Sequence, residues 1–214
     1  MEARKQNQEE RASGNPGKVR LGKKTVLIPE MNRAVALLLA ATFRGFGVEA
    51  RALETYKGLD LGKEYTSGKE CYPCQVTLGD ILYFVQKEKE RLGPAFDPGQ
   101  YVYFLPESDG PCRFGLYNRF QRIVLDSFPG LNRLKISSIT TRDAYSFSGI
   151  LEKDKVLDFQ KSGYFAVVVA DIMDRLLWRV RPYEKKRGTA DEFIERSLRE
   201  LEKTFEEHGL SKDF

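Results

Sequence analysis

The chain has 214 residues, 41% apolar and 12% aromatic, with three cysteines and a formal charge of +4. That length and composition suit a globular core and exclude a disordered chain; no apolar run approaches the roughly 20 residues of a membrane helix, and the polar N-terminus lacks a signal-like apolar segment. An odd cysteine count does not suggest a secreted disulfide framework, so the expected setting is cytoplasmic, with reduced thiols and no membrane.

The charge is unevenly placed. Residues 1–24 carry seven basic and three acidic groups, and the remaining 190 residues hold 28 of each. The basicity belongs to an N-terminal extension, so no nucleic-acid partner is expected. Residues 1–22 are polar and broken by Gly14, Pro16 and Gly17.

Thr25-Val26-Leu27-Ile28-Pro29 predicts a first buried strand. Asn32 predicts a helix cap, since its side chain can accept from free backbone N–H groups, and the helix runs through Leu37, Leu38, Leu39 and Phe43 to Gly45 and Gly47. Val48–Leu53 predicts a second strand, parallel to the first by a right-handed crossover. A polar loop from about Glu54 to Glu70 is expected next. Val76, Leu78, Ile81, Leu82, Phe84 and Val85 then form a helical stripe that stops near Gly93-Pro94. Asp97-Pro98-Gly99 is a turn, Tyr101–Leu105 a third strand, and the Pro106–Gly110 loop leads to Cys112. A helix with Phe114, Tyr117, Phe120, Ile123, Val124 and Phe128 follows, and Leu134-Lys135-Ile136 predicts a fourth strand. Tyr164–Val180 is a long apolar helix. Thr189 and Glu192 have capping-box spacing and open a last helix with Ile194, Leu198, Leu201 and Phe205. These elements predict an α/β fold over 23–150 with a parallel sheet flanked by helices, closed by a C-terminal helical pair within 151–214.

All three cysteines stand at predicted helix starts: Cys71 and Cys74 in Glu70-Cys71-Tyr72-Pro73-Cys74-Gln75, and Cys112 beyond the third strand. Helix N-termini favour thiolates, the form that binds metal or attacks disulfides. A chain reversal at Pro73 would point both sulfurs of the pair one way, and Cys112 would supply a third. Three thiolates leave several readings open. An iron–sulfur cluster prefers four cysteines and would keep one open position here. A structural zinc site normally takes four protein ligands, and the single histidine, His208, lies far off near the C-terminus. A Cys-x-x-Cys thiol–disulfide oxidoreductase needs only Cys71 and Cys74. Inert buried thiols are the bland alternative.

Thr66-Ser67-Gly68-Lys69-Glu70-Cys71-Tyr72-Pro73-Cys74 with Thr77-Leu78-Gly79-Asp80 resembles one signature of the activase-related proteins of the 2-hydroxyacyl-CoA dehydratase system. Phe104-Leu105-Pro106 with Gly110-Pro111-Cys112-Arg113-Phe114-Gly115-Leu116-Tyr117 is similar to a second, and Arg181-Pro182-Tyr183-Glu184 to a third. The resemblance runs from about Lys24 to Glu206. It implies a Rossmann-like (flavodoxin-like) α/β fold and an iron–sulfur cluster, expected as a four-iron, four-sulfur type, held by Cys71, Cys74 and Cys112 and serving electron transfer in anaerobic metabolism. It also implies partners: an ATP-hydrolysing activase, and a second α/β domain or subunit, since the family pattern continues into one and this chain does not. A homodimer would serve the same end. Whether the chain is itself a complete enzyme is left open, and no phosphate-binding glycine motif assigns ATP to it.

Near the cysteines, Tyr72, Gln75 and Thr77 are candidates for hydrogen bonds to sulfur, and Tyr72 could equally pack in the core. Arg113 could balance a negative cluster or grip an anion, whereas Arg119 reads as a solvated helix face. Asp171 and Arg175 have ion-pair spacing, and Trp178 reads as packing. The alternative to the redox reading is a non-catalytic, zinc-stabilised interaction module, or the dithiol oxidoreductase.

Overall fold

Four short strands carry the fold: β1 (Thr25–Ile28), β2 (Ala50–Ala52), β3 (Tyr101–Phe104) and β4 (Lys135–Ser137). All neighbours pair in parallel, in the spatial order β2-β1-β3-β4. This computed structural model describes residues 21–140, Phe147 and residues 150–208; of the extension expected at 1–22, all but Leu21 and Gly22 lies outside them. Val26, Leu27, Val102 and Tyr103 are wholly buried, as unbroken apolar runs should be in a sheet covered on both faces.

One face is covered by α1 (Arg33–Gly45) and the start of α5 (Val156–Val180), where Phe43, Phe104, Phe147 and Phe159 pack ring to ring. The other is covered by α3 (Tyr72–Leu92) and α4 (Tyr117–Asp126), through Leu78, Ile81, Val85, Val124 and Leu125. Asn32 caps α1 as expected: its backbone is extended and its side-chain oxygen accepts from the Val35 N–H at 2.9 Å. Among the described residues no helix is long and apolar enough to cross a membrane.

Three expectations about the helices change. The segment expected as a loop from Glu54 to Glu70 contains a short helix, α2 (Leu59–Glu64). A six-residue helix with a central glycine has no readable period, and it forms because it lies against α3. Helix α5 begins at Val156, well before Tyr164, since Val156 and Phe159 already pack into the sheet core. Finally, Thr189 is the first residue of α6 (Thr189–His208) and does not cap it. Its hydroxyl donates back to the Lys186 carbonyl, while the Glu184 carboxylate accepts from the N–H groups of Gly188 and Ala190 at 2.9 and 3.1 Å. A carboxylate there offsets the positive end of the helix. Glu184→Ala is therefore expected to cost about 1–2 kcal/mol of stability in a urea titration, and Thr189→Ala much less; equal losses would contradict this capping.

The C-terminal pair docks on α1. Arg33 makes two hydrogen bonds to Glu195, at 2.6 and 2.8 Å, Asn32 donates to Asp174 at 2.7 Å, and Arg44 meets Glu202 and Glu206. Beneath these pairs, Leu38, Ala41, Ala166, Ala170, Leu198 and Phe205 form an apolar core. Asp171 and Arg175 do pair, at 3.0 Å. Trp178, expected to pack, is 65% exposed.

Candidate functional site

The strand order reverses between β1 and β3, and at such a point the loops leaving the carboxyl ends of the strands part to leave a crevice. The β3–α4 loop there walls a cleft of about 350 Å³, lined by Glu107, Ser108, Cys112, Arg113, Leu116 and Arg119 among others. Cys112 is exposed and precedes a 3₁₀ turn, Arg113–Leu116, that leads into α4.

The other two cysteines sit on the first turn of α3. Cys71 is its N-cap, in extended conformation, and Pro73 occupies an early helical position, where its missing N–H goes unneeded. The expected reversal at Pro73 is thus a helical turn: the Cys74 N–H donates to the Cys71 carbonyl at 2.9 Å. The spacing of three still brings the two thiols within electrostatic reach of each other. Cys71 is half-buried and Cys74 buried. Burial, then the neighbouring Cys71 and Glu70, push the Cys74 thiol up to about 12, against a smaller opposing contribution from the Gln121 amide.

Tyr117, on the first turn of α4, joins the two segments. Its hydroxyl lies 2.6 Å from the Cys71 sulfur. Burial raises its ionisation well above the ordinary range, and the charges of Cys71, Cys74 and Cys112 all add to that rise. Of the three sulfurs, Cys71 is the one within hydrogen-bond distance of this hydroxyl. Arg113 ties the same two segments from outside, donating to the Lys69 carbonyl at 2.6 Å. Below them, Gln121 donates to the Thr77 hydroxyl at 2.8 Å, and Thr77 donates to the Pro73 carbonyl at 2.9 Å. Tyr103 donates to the Thr77 carbonyl at 3.0 Å. This buried chain of hydrogen bonds fixes the first turn of α3 against β3 and α4.

Of the residues singled out in the sequence, Cys71, Cys74, Cys112 and Arg113 are thus neighbours. Tyr72 points outward, with its ring 6.4 Å from that of Tyr56. Gln75 is half-buried, and its backbone carbonyl faces Gly62. The hydrogen-bonding groups found beside the thiols are Tyr117 and Gln121 instead. Both could have been sought by period: they stand four apart, on one face of a helix that starts just after Cys112.

One further residue was not singled out. Asp80, on α3, is buried, and one of its oxygens accepts from the Tyr56 N–H at 3.1 Å. The other has no hydrogen-bond partner among the described residues. Tyr56 has a φ of 63°, a left-handed conformation that is costly for a side chain of its size. Desolvation raises Asp80 from 3.8 to about 7, with nearby Glu30 adding to the rise.

An α/β fold of flavodoxin-like strand order, with three free cysteines on two segments that meet at the carboxyl end of its sheet, is the class that the fold and site define. No protein-family model matches the chain, and no match was found among curated proteins or solved structures.

Proposed function

We propose that the chain is an iron–sulfur redox protein related to the 2-hydroxyacyl-CoA dehydratase and activase system, with Cys71, Cys74 and Cys112 as the cluster ligands. The observation that carries this reading is that the two cysteine segments meet: the Tyr117 hydroxyl, just beyond Cys112, lies 2.6 Å from the Cys71 sulfur, and Arg113 donates to the Lys69 carbonyl at 2.6 Å. Among the described residues no three His, Cys, Asp or Glu side chains are grouped to hold a single ion. Mononuclear zinc requires all its ligands about 2.0–2.3 Å from one point. A cluster distributes its thiolates over separate irons, so cysteines on two abutting segments suit it better. When bound, the group would supply one-electron redox chemistry, with a position free for a fourth ligand.

The chain's own residues have separable tasks in this reading. Cys74 stays protonated near neutral pH, and its proton must leave when a metal binds, so loading is easier at higher pH. Tyr117 stays protonated, is placed to donate to the Cys71 sulfur, and such a bond tunes the potential of a metal site. Arg113 holds the two cysteine segments together and brings positive charge near the thiolates.

The test is anaerobic purification, with a visible spectrum and assays for iron and acid-labile sulfide. A brown protein bleached by dithionite, and a Cys112→Ser variant that stays folded but holds less than about a tenth of the iron, are the expected results. A colourless, metal-free protein after anaerobic reconstitution would overturn the proposal. One observation favours a second reading, the dithiol oxidoreductase: Cys71 is accessible at a helix N-terminus and Cys74 is buried behind it. Cys112→Ser separates the two, because dithiol activity survives it.

A further inference from the structure

The connection from β2 to α3, residues 54–70, has almost no core of its own. Gly58 and Gly62 are buried, and every other residue in it is half-buried or exposed. It crosses α3 and runs straight into Cys71. Its two glycines meet the α3 backbone at Gly79 and Gln75, the Tyr56 ring lies against that of Tyr72, and Arg113 donates to the Lys69 carbonyl at its far end. Asp80 provides the hold at the near end. Its side chain is on a residue only 1% exposed and accepts from the Tyr56 N–H, keeping Tyr56 in the left-handed conformation that a bulky residue adopts only under restraint. A segment with so little buried apolar surface belongs to the part of a fold that opens without global unfolding.

We propose that residues 54–70 are a pH-gated strap over the thiol site: when the Asp80 carboxyl gives up its proton, the strap lifts from α3 and loosens the turn that carries Cys71 and Cys74. The surroundings of Asp80 cannot hold its charge. From the loop after β1 the charged neighbour is Glu30, a like charge, itself bonded to Arg33 at 3.3 Å. From β3 the Tyr103 hydroxyl is within electrostatic reach, but burial keeps it protonated and it donates to the Thr77 carbonyl. From the strap the Thr55 hydroxyl stands close by, yet neither it nor the second Asp80 oxygen makes a hydrogen bond of ordinary geometry. Among the described residues no cation pairs with Asp80. An ionised carboxylate in such a place is stabilised by water, which enters where the cover is thinnest, at the strap. Closed, the fold raises Asp80 from 3.8 to about 7, and opening returns it to an ordinary value. The closed strap is therefore fully favoured below about pH 4, its opening constant grows about tenfold per pH unit up to about pH 7, and it is level above that. Because α2 rests on the backbone at Gln75, opening reaches the first turn of α3. The value of such a gate for regulating the site rests on the cysteines being working ligands; the strap itself needs no bound cluster.

Hydrogen exchange of the full chain, read by NMR from about pH 5 to about pH 8 and corrected for intrinsic rates, tests this. The amides of Tyr56 and Gly62, hydrogen-bonded in the closed strap, should lose protection at least tenfold between about pH 5 and 7 and change little above. They should exchange faster than those of the buried strand Tyr101–Phe104 throughout. The Cys74 amide, bonded to the Cys71 carbonyl, should follow the strap. Asp80→Asn keeps an acceptor for Tyr56 and should leave only the shallow slope due to Glu30. Four results would overturn the proposal: strap protection that does not change with pH, strap amides that exchange no faster than Tyr101–Phe104 and so open only with the whole chain, a Cys74 amide that ignores the strap, or a full slope persisting in Asp80→Asn. Should that variant not fold, the natural chain still decides through the first three. The measurement is made on the protein with or without a cluster, so the strap can fail while the redox proposal stands, and the reverse.

Discussion

Replacing Gly79 by alanine should destabilise the protein by about 2–4 kcal/mol, despite an intrinsic helix gain of roughly 1 kcal/mol for that exchange. Helices α2 and α3 cross at their glycines. A Cβ at Gly79 would stand 2.2 Å from the Gly58 carbonyl oxygen, and one at Gly62 would stand 2.0 Å from that of Gln75. In each case the opposing atom is backbone, so no side chain can swing aside and the helices must separate. Separation would loosen the turn that carries Cys71 and Cys74, because α2 rests on the backbone at Gln75. The expected results are a lower urea midpoint and faster reaction of the buried Cys74 with a thiol reagent. An unchanged or raised midpoint for Gly79→Ala would show that the helices part without cost.

Asp80→Asn should act in the opposite direction and depend on pH. The Asp80 carboxyl is raised from 3.8 to about 7 in the fold, chiefly by desolvation. A raised carboxyl means that the folded state holds its proton over a range in which the unfolded chain has lost it. Stability is therefore complete below about pH 4, falls as pH rises to about 7, and is level above that. At about 1.4 kcal/mol per pH unit the difference comes to roughly 4 kcal/mol. Asparagine cannot ionise and keeps an acceptor for the Tyr56 N–H. The variant should gain roughly 2–4 kcal/mol at pH 8 and little at pH 4. Glu30, also raised chiefly by burial, leaves a smaller slope of the same sign. Denaturation at pH 4, 6 and 8 measures this; parallel curves for the two proteins would mean that Asp80 is ionised in the fold. Its position fits a strained site: it holds Tyr56 in its left-handed conformation near the cysteine-bearing turn.

Much of the architecture is local physics. The β-branched and aromatic runs at Thr25–Ile28 and Tyr101–Phe104 have no polar alternation to expose, so a buried parallel sheet was their consistent reading. Asn32 acts on a backbone N–H three residues away, an interaction contained within one turn, and it caps α1 as its type suggests. The position of the cysteines at helix starts was legible for the same reason, since the apolar period begins immediately after them.

What the chain could not disclose one segment at a time depends on atoms brought together from far apart. Helix α2 has weak intrinsic propensity and exists where Gly58 and Gly62 allow its backbone to meet that of α3. Tyr117 and Gln121 read as ordinary core positions until α4 sets them beside the thiols of α3. Asp80 looks like one more polar residue on a helix, and its pKa is raised chiefly by burial. The Glu184 carboxylate displaced Thr189 as the cap of α6 because a 3₁₀ turn delivers it there. Composition and period thus determined the elements and the location of the thiols. Long-range contact, through desolvation and close approach, decided which side chains surround those thiols and which polar groups are strained beneath them.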